Sequence, residues 1–188
     1  MGGFARQGYT FAGAPMKNKN GFTLIEILIA MTIMTVLISL SVAAINYNSN
    51  IVNNTANELL SKVSDIEAAF NQYVADKNNP PTGLTDATFT PTYLFTPLAP
   101  TGYDQTYGTS GFTLAQRTGQ ASPDNGWYVC AKVTVPNSGD PKFQALKKIA
   151  TMVSPQKFFY NTSCPATTTM ADPAAAATIY PVYWIMRN

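Results

Sequence analysis

Apolar residues follow two patterns along one long segment near the start of this chain. From Ile27 to Ile45 there is no charged residue, proline or glycine. From Ile51 to Val74 the apolar residues recur at steps of three and four, which is typical of one face of a helix. Because neither proline nor glycine interrupts residues 22–79, the sequence predicts one helix of about 56 residues. Its first half, residues 22–45, is apolar all round, and its second half, residues 46–79, is amphipathic.

The uncharged stretch has nearly the length of a membrane-spanning helix, which needs about 20 apolar residues. Arg6, Lys17 and Lys19 precede it, whereas the next cation after it is Lys62. Because positive charge accumulates on cytoplasmic segments, this asymmetry places the N-terminus in the cytoplasm and the C-terminal part outside. The sequence therefore predicts a membrane-inserted protein with an extracytoplasmic domain.

The C-terminal part, residues 80–188, has the pattern of a small globular sheet domain. Prolines and glycines recur through residues 80–126, so this segment is predicted to be a loop with short extended pieces, packed by its own aromatic residues. Alternating apolar residues then predict strands at Trp127–Val135, Lys157–Cys164 and Ile179–Met186. One face of the first strand would carry Trp127, Val129, Ala131, Val133 and Val135. Pro181 would place the last strand at an edge or a bulge, because proline cannot donate to a sheet ladder.

A short helix is predicted between the first two of these strands. Asp140 is a suitable N-cap and Pro141 a suitable first helical residue. The buried face of this helix would consist of Phe143, Leu146, Ile149 and Val153. Three or four antiparallel strands packed against the amphipathic half of the long helix give an α+β fold. In this fold the helix stripe and one face of the sheet bury each other.

Charge and composition exclude several classes of function. Twelve basic and ten acidic residues give a net charge of +2, and loss of residues 1–21 would leave nine against ten. A nearly neutral chain without a broad basic patch argues against nucleic acid as the main partner. The absence of histidine removes imidazole bases, Ser-His-Asp triads and His-ligated metals. With neither a phosphate-binding glycine loop nor a CxxC motif, we expect no enzyme activity and no cofactor.

The acidic residues of the C-terminal part are scattered singly along the sequence. Asp124-Asn125-Gly126 is compatible with one side of a calcium site, but the same string is more typical of a plain turn. We therefore predict no metal site.

The residues just before the apolar stretch form a distinctive string. Gly21 is followed by Phe22-Thr23-Leu24-Ile25-Glu26, and a short polar segment with Lys17 and Lys19 precedes it. Ordinary secretion signals are cut after the apolar run, whereas a cut after Gly21 would leave that run on the mature protein. This arrangement resembles the class III leader of type IV prepilins and of type II secretion pseudopilins.

The resemblance implies a processing pathway and its partners. A prepilin peptidase would cut between Gly21 and Phe22, and the same enzyme would methylate the new Phe22 amine. An inner-membrane platform and its ATPase would then assemble the chains into a helical homopolymer through their N-terminal helices. Residues 1–21 would be the leader, and translation is expected to start at Met16, which gives the short leader MKNKNG. The assembly surface would begin with Thr23, Leu24, Ile25 and Glu26.

A charged side chain at the bilayer centre costs ~2.5–3.5 kcal/mol, and the cost is lower at the edge of the apolar zone, where Glu26 lies. In a filament Glu26 would pair with the Phe22 ammonium of a neighbouring subunit and set the axial register. Alternatively, it is an interfacial acid at a helix N-terminus, where the helix dipole favours negative charge. The complete GFTLIE string favours the pairing.

Cys130 and Cys164 are the two cysteines of the chain, and both lie on predicted strands outside the membrane. An oxidising compartment favours a disulfide between them. In the chain-entropy model, closing a loop of about 35 residues contributes up to ~4 kcal/mol. Two separate buried thiols are the alternative.

Two classes of function follow from these features. The first is a structural subunit of a type IV pilus, an inner-membrane precursor oriented N-in and C-out that ends in an extracellular fibre. Minor pilins and type II secretion pseudopilins are alternatives within this class, and the disulfide and the loop 80–126 favour a pilin. The second class is a monomeric, membrane-anchored binding module. A simple anchor needs neither a cut before the helix nor an acid inside it, so the first class is preferred. Adhesion, twitching motility, DNA uptake and secretion are all compatible with it.

Overall fold

One helix, α1, accounts for the whole first part of the described chain. In the computed structural model, which describes residues 23–187, α1 runs from Leu24 to Lys77. It ends where Asn78 adopts a left-handed φ of 54° and donates its N–H to the Val74 carbonyl at 2.9 Å, a common way for a helix to end before a proline. The prediction of one long, uninterrupted helix is therefore confirmed.

The chain divides into two compact units, one ending at Ala43 and the other beginning at Ala44. In the described part of the first unit, α1 exposes every large apolar side chain from Leu24 to Val42. The second unit contains the rest of α1 and all other secondary structure. Each unit is described by itself.

The second unit combines two helices with a five-stranded antiparallel sheet. Helix α2 covers Pro141–Met152, and the strands are β1 (Phe112–Arg117), β2 (Gly126–Ala131), β3 (Val133–Val135), β4 (Phe158–Asn161) and β5 (Ala177–Arg187). β5 is central, because β2 and β3 pair with one of its edges and β4 pairs with the other. β1 pairs with the outer edge of β2. The predicted α+β architecture is confirmed.

The prediction for Pro181 is wrong in one respect, because β5 is not an edge strand. Pro181 pairs with Tyr160 of β4, while the ladder on the other edge is interrupted beside it. Cys130 pairs with Val182 and Val133 with Ile179 in one continuous register, but residues 131–132 between them do not pair with β5. The missing N–H of proline explains why the sheet tolerates it only at such a gap. The same gap divides the predicted strand Trp127–Val135 into β2 and β3.

Three smaller features also differ from the sequence prediction. The predicted strand Lys157–Cys164 ends early, at Asn161, because the Asn161 side chain accepts the Thr162 N–H at 2.7 Å and turns the chain out of the ladder. Cys164 therefore lies in the bend after β4. Val153 is the extended C-cap of α2 and not part of its helical face. Strand β1 forms inside the 80–126 segment.

The amphipathic stripe of α1 packs against one face of the sheet, as predicted. Its buried members are Ala56, Leu59, Val63, Ile66, Phe70 and Tyr73. The alternating face of β2 and β3 is buried in the same cluster, where the rings of Phe70 and Trp127 lie 5.4 Å apart. Because a fully buried large apolar side chain contributes ~1.5–3 kcal/mol, this stripe supplies the main force that holds α1 to the sheet.

The opposite face of the sheet carries a smaller apolar group, the outer cluster. It consists of Tyr128, Cys130, Phe159, Ala166, Val182 and Trp184. Trp184 is fully buried and donates its indole N–H to the Ala166 carbonyl at 3.0 Å. The segment after β4 thus covers this face, and sequence periodicity alone did not predict that both faces of β2 would be buried.

A polar contact fixes α1 to the sheet beside the apolar stripe. Lys157 Nζ lies 2.7 Å from one carboxylate oxygen of Glu67, and the Tyr183 hydroxyl donates to the other at 2.8 Å. Hydrogen bonding to Glu67 raises the pKa of Lys157. Burial, followed by the hydrogen bond to Glu67, raises the pKa of Tyr183. Glu67 therefore joins the helix to both β5 and the turn before β4.

The cap of α2 allows a first prediction. Asp140 precedes Pro141 and accepts the Lys142 N–H at 2.8 Å, as predicted for an N-cap. We expect Asp140→Ala to lower the free energy of unfolding of the second unit by ~1 kcal/mol, measured by denaturant unfolding of the detergent-solubilised chain. Asp140→Asn keeps an acceptor oxygen and is expected to stay near wild type. Equal losses in both variants would contradict a capping role.

Candidate processing and assembly segment

The start of α1 is built as a reciprocal capping box. Thr23 is the residue before the first helical position, and its backbone N–H and hydroxyl donate to Glu26 Oε2 at 2.9 and 3.0 Å. In return, the Glu26 N–H donates to Thr23 Oγ1 at 3.3 Å. A Thr-x-x-Glu pair of this kind satisfies two backbone donors that have no partner within the helix. The carboxylate of Glu26 therefore fixes the point at which the helix begins.

The surface that follows this cap is apolar on all sides of the helix. Leu24 is 82% exposed and Ile25 61% exposed, and the same holds along the helix as far as Val42. By length and composition, α1 is apolar enough to cross a membrane. Side chains this apolar are stable only against lipid or other apolar helices, so this surface needs one of those two partners.

Four hydroxyl groups within this apolar surface bond back to their own helix. Each of them donates to a backbone carbonyl three or four residues earlier at 2.8 Å: Thr32, Thr35, Ser39 and Ser41. Such bonds satisfy the hydroxyl without a partner from another chain. They make the polar residues of this stretch compatible with an apolar environment.

Three acidic residues that follow α1 in the second unit, Asp86, Asp104 and Asp124, are engaged in local contacts. Hydrogen bonds from Thr88 and Thr82 lower the pKa of Asp86 to about 2, and bonds from Thr106 and Lys132 lower that of Asp104 to about 2. Neither carboxyl can hold a proton near neutral pH, as a general acid must. Asp124 Oδ1 lies 2.8 Å from Arg187 Nη2, and among residues 23–187 no cluster of acidic or cysteine side chains suits a metal ion.

Comparison with known families identifies the segment that contains the cap. The model of the prokaryotic N-terminal methylation motif matches residues 16–42. These residues include the GFTLIE string and most of the exposed apolar surface. This match supports a type IV pilin-like family for the chain. Searches of curated proteins and of solved structures found no match to the chain.

For a type IV pilin-like chain, the motif has direct consequences. It implies processing by a prepilin peptidase and assembly into a pilus or pseudopilus. The family is structural rather than enzymatic. The class III leader and the apolar helix fit a precursor that is anchored in the membrane.

The predicted site residues of this pilin-like chain fall in three places. Gly21 and Phe22 lie outside the described residues, so the cleavage and methylation sites stay predictions. Glu26 lies at the start of α1, together with Thr23, Leu24 and Ile25. Cys130 of β2 and Cys164 are joined in a disulfide. Sequence reasoning missed the capping box, although the Thr-x-x-Glu spacing was a sufficient signal for it.

Proposed function

We propose that the chain is the structural subunit of a type IV pilus, cleaved after Gly21, methylated at Phe22 and polymerised through its N-terminal helix. The observation that carries this proposal is the methylation motif over residues 16–42, which includes most of the exposed apolar part of α1. A cut after Gly21 leaves the helix on the mature chain, and a helical filament gives its apolar side chains a partner other than lipid. The subunit would leave the inner membrane, where it lies N-in and C-out, for an extracellular fibre.

Glu26 supports the assembly role because its cap uses only one of its two oxygens. Within residues 23–187, Oε2 accepts both bonds from Thr23, and Oε1 accepts none. The second oxygen is available for the Phe22 ammonium of a neighbouring subunit. At ~4 Å and an effective dielectric constant of ~20, this contact contributes roughly 4 kcal/mol before the desolvation of both charges is subtracted.

Two other functions would differ from this one in where, or whether, the chain assembles. A type II secretion pseudopilin or a minor pilin shares the motif and the helix, and it would be found in a periplasmic or sparse assembly instead of a long surface fibre. A monomeric anchored binding module would use the helix only to stay in the membrane. The methylation motif favours polymerisation over such an anchor, because a simple anchor needs no cut before its apolar helix.

A cleavage experiment tests the proposal directly. We expect the mature polypeptide to begin at N-methylated Phe22, as determined by N-terminal mass analysis, and to be the main component of purified surface fibres. Gly21→Val is expected to keep the leader, because a side chain at this position would obstruct the close approach that glycine allows. A mature chain that retains Lys17 to Gly21 and stays monomeric would contradict the proposal.

A further inference from the structure

One flank of α1 in the second unit carries an open groove with an exposed apolar rim. The groove, about 450 Å³ in volume, lies between α1 and residues 93–98, with Ala68 and Ala69 on the helix side. Phe95 and Leu98 line it and are 87% and 59% exposed. Phe95 is thus more exposed than any other large apolar side chain of the described chain, including those of the apolar helix. An apolar rim of this kind marks an interaction surface.

The same flank of α1 is acidic. Three exposed acidic residues lie on the same side of α1 as the groove, at steps of three or four from helix residues that line it: Glu58, Asp65 and Asp76. Within the part of the chain that the structure describes, none of the three takes part in an ion pair. Lys62 is a cation on the same side, so the flank has a net negative charge.

The other flank of the second unit is basic. A groove of about 520 Å³ separates α1 residues 48–53 from α2, which contributes Lys147 and Lys148 to its wall. α2 carries three lysines and no acidic residue, and although Lys147 pairs with Asp172 at 2.8 Å, the flank stays net positive. Met152, one turn beyond Lys148, is 53% exposed. This flank therefore offers a cationic surface with an exposed apolar side chain.

We propose that the acidic flank with Phe95 and Leu98 binds the basic α2 flank of a second copy of the same chain. At 3.6 residues per turn, the α1 residues of the two grooves point to nearly opposite sides of the helix. The acidic flank of one copy would therefore contact the basic flank of the next copy. Such a contact between two different surfaces is heterologous, and it generates rings or open helical filaments and not closed dimers. A second copy of the chain is the partner that fits the acidic flank, because each copy carries a basic flank of complementary charge.

This inference rests on the proposed filament function, to which it adds a contact between the second units of neighbouring subunits. Cysteine cross-linking in fibre-bearing cells tests it. Leu98→Cys and Met152→Cys place a thiol on the two flanks at exposed positions, where neither change disturbs the core. We expect a short bis-maleimide to give a ladder of covalent oligomers from the double variant, and dimers from mixed single variants.

The outcomes separate this inference from the proposed function. Dimers from either single variant alone would show pairing of like surfaces and would overturn the heterologous contact. Fibres that contain the double variant but yield no cross-links would overturn it as well, while leaving the filament function intact. Absence of fibres from the wild-type chain would contradict the filament function itself. The matched control, Leu98→Cys with Ala121→Cys, places the second thiol at an exposed position that lines neither groove, and is expected to give no ladder.

Discussion

Glu26→Ala is expected to leave the protein in the membrane and to remove its fibres. The variant keeps all the exposed apolar side chains from Leu24 to Val42, so we expect it to insert into the membrane as the wild type does. It loses the carboxylate that would meet the Phe22 ammonium of the next subunit. A net loss of ~2–3 kcal/mol for each subunit contact raises the concentration needed for assembly roughly 30- to 150-fold. Membrane fractionation and electron microscopy of the sheared surface fraction measure the two effects separately.

Two matched variants distinguish assembly from helix capping. Glu26→Gln keeps an acceptor for the Thr23 N–H, and glutamine suits this position of a capping box as well as glutamate does, but it carries no charge for the ammonium. We expect it to lack fibres, like the alanine variant. Thr23→Ala removes the hydroxyl that accepts the Glu26 N–H, at a cost of ~0.5–2 kcal/mol to the helix start, yet it keeps the carboxylate. We expect this variant to form fibres.

The opposite pattern would change the interpretation of Glu26. Normal fibres from Glu26→Gln together with few fibres from Thr23→Ala would assign the carboxylate to the helix cap alone. Normal fibres from both Glu26 variants would show that polymerisation does not depend on this residue. Because both variants leave the apolar surface unchanged, loss of the protein from the membrane would indicate a folding or insertion defect and not an assembly defect.

Features that depend on local chemistry were predictable from the sequence. The length of α1 follows from the absence of proline and glycine across residues 22–79, and its buried stripe follows from the helical period. The start of α2 follows from Asp140 and Pro141, since an N-cap and a first-turn proline act within a few residues. The methylation motif is likewise a local string, and it alone points to a type IV pilin-like family.

Features that depend on contacts between distant segments were not predictable in the same way. Strand β5 is central because β4 returns to its free edge, and the alternation of β5 is the same whichever edge is paired. The outer cluster is buried because the segment after β4 folds over it, and the Ala166 carbonyl of that segment accepts the indole N–H of Trp184. The spacing of apolar residues in the sequence does not predict this contact. The two flanks of α1 become distinct only when α2 and residues 93–98 pack on different sides of it.

Removal of the disulfide is expected to have the second large effect, on stability. Cys130 and Cys164 are 34 residues apart in sequence, and their bond closes a loop that contains β3, α2 and β4. In the chain-entropy model, opening a loop of this length costs up to ~4 kcal/mol. At about 2–4 °C per kcal/mol for a chain of this size, we expect Cys130→Ala/Cys164→Ala to unfold at a temperature lower by roughly 8–16 °C. Thermal unfolding of the detergent-solubilised chain, followed by tryptophan fluorescence, measures this shift.

Reductant on the wild-type chain separates the loss of the bond from the loss of packing. Cys130 is fully buried in the outer cluster, so alanine there also leaves a small cavity, whereas reduction removes the bond and keeps both sulfur atoms. We expect the reduced wild type to lose most of the stability that the double variant loses. The free segment after β4 should also leave Trp184 less protected, with a fluorescence shift to longer wavelength. If the unfolded chain shows two free thiols before any reductant is added, the two residues are separate thiols in the native protein, and the segment after β4 covers Trp184 by packing alone.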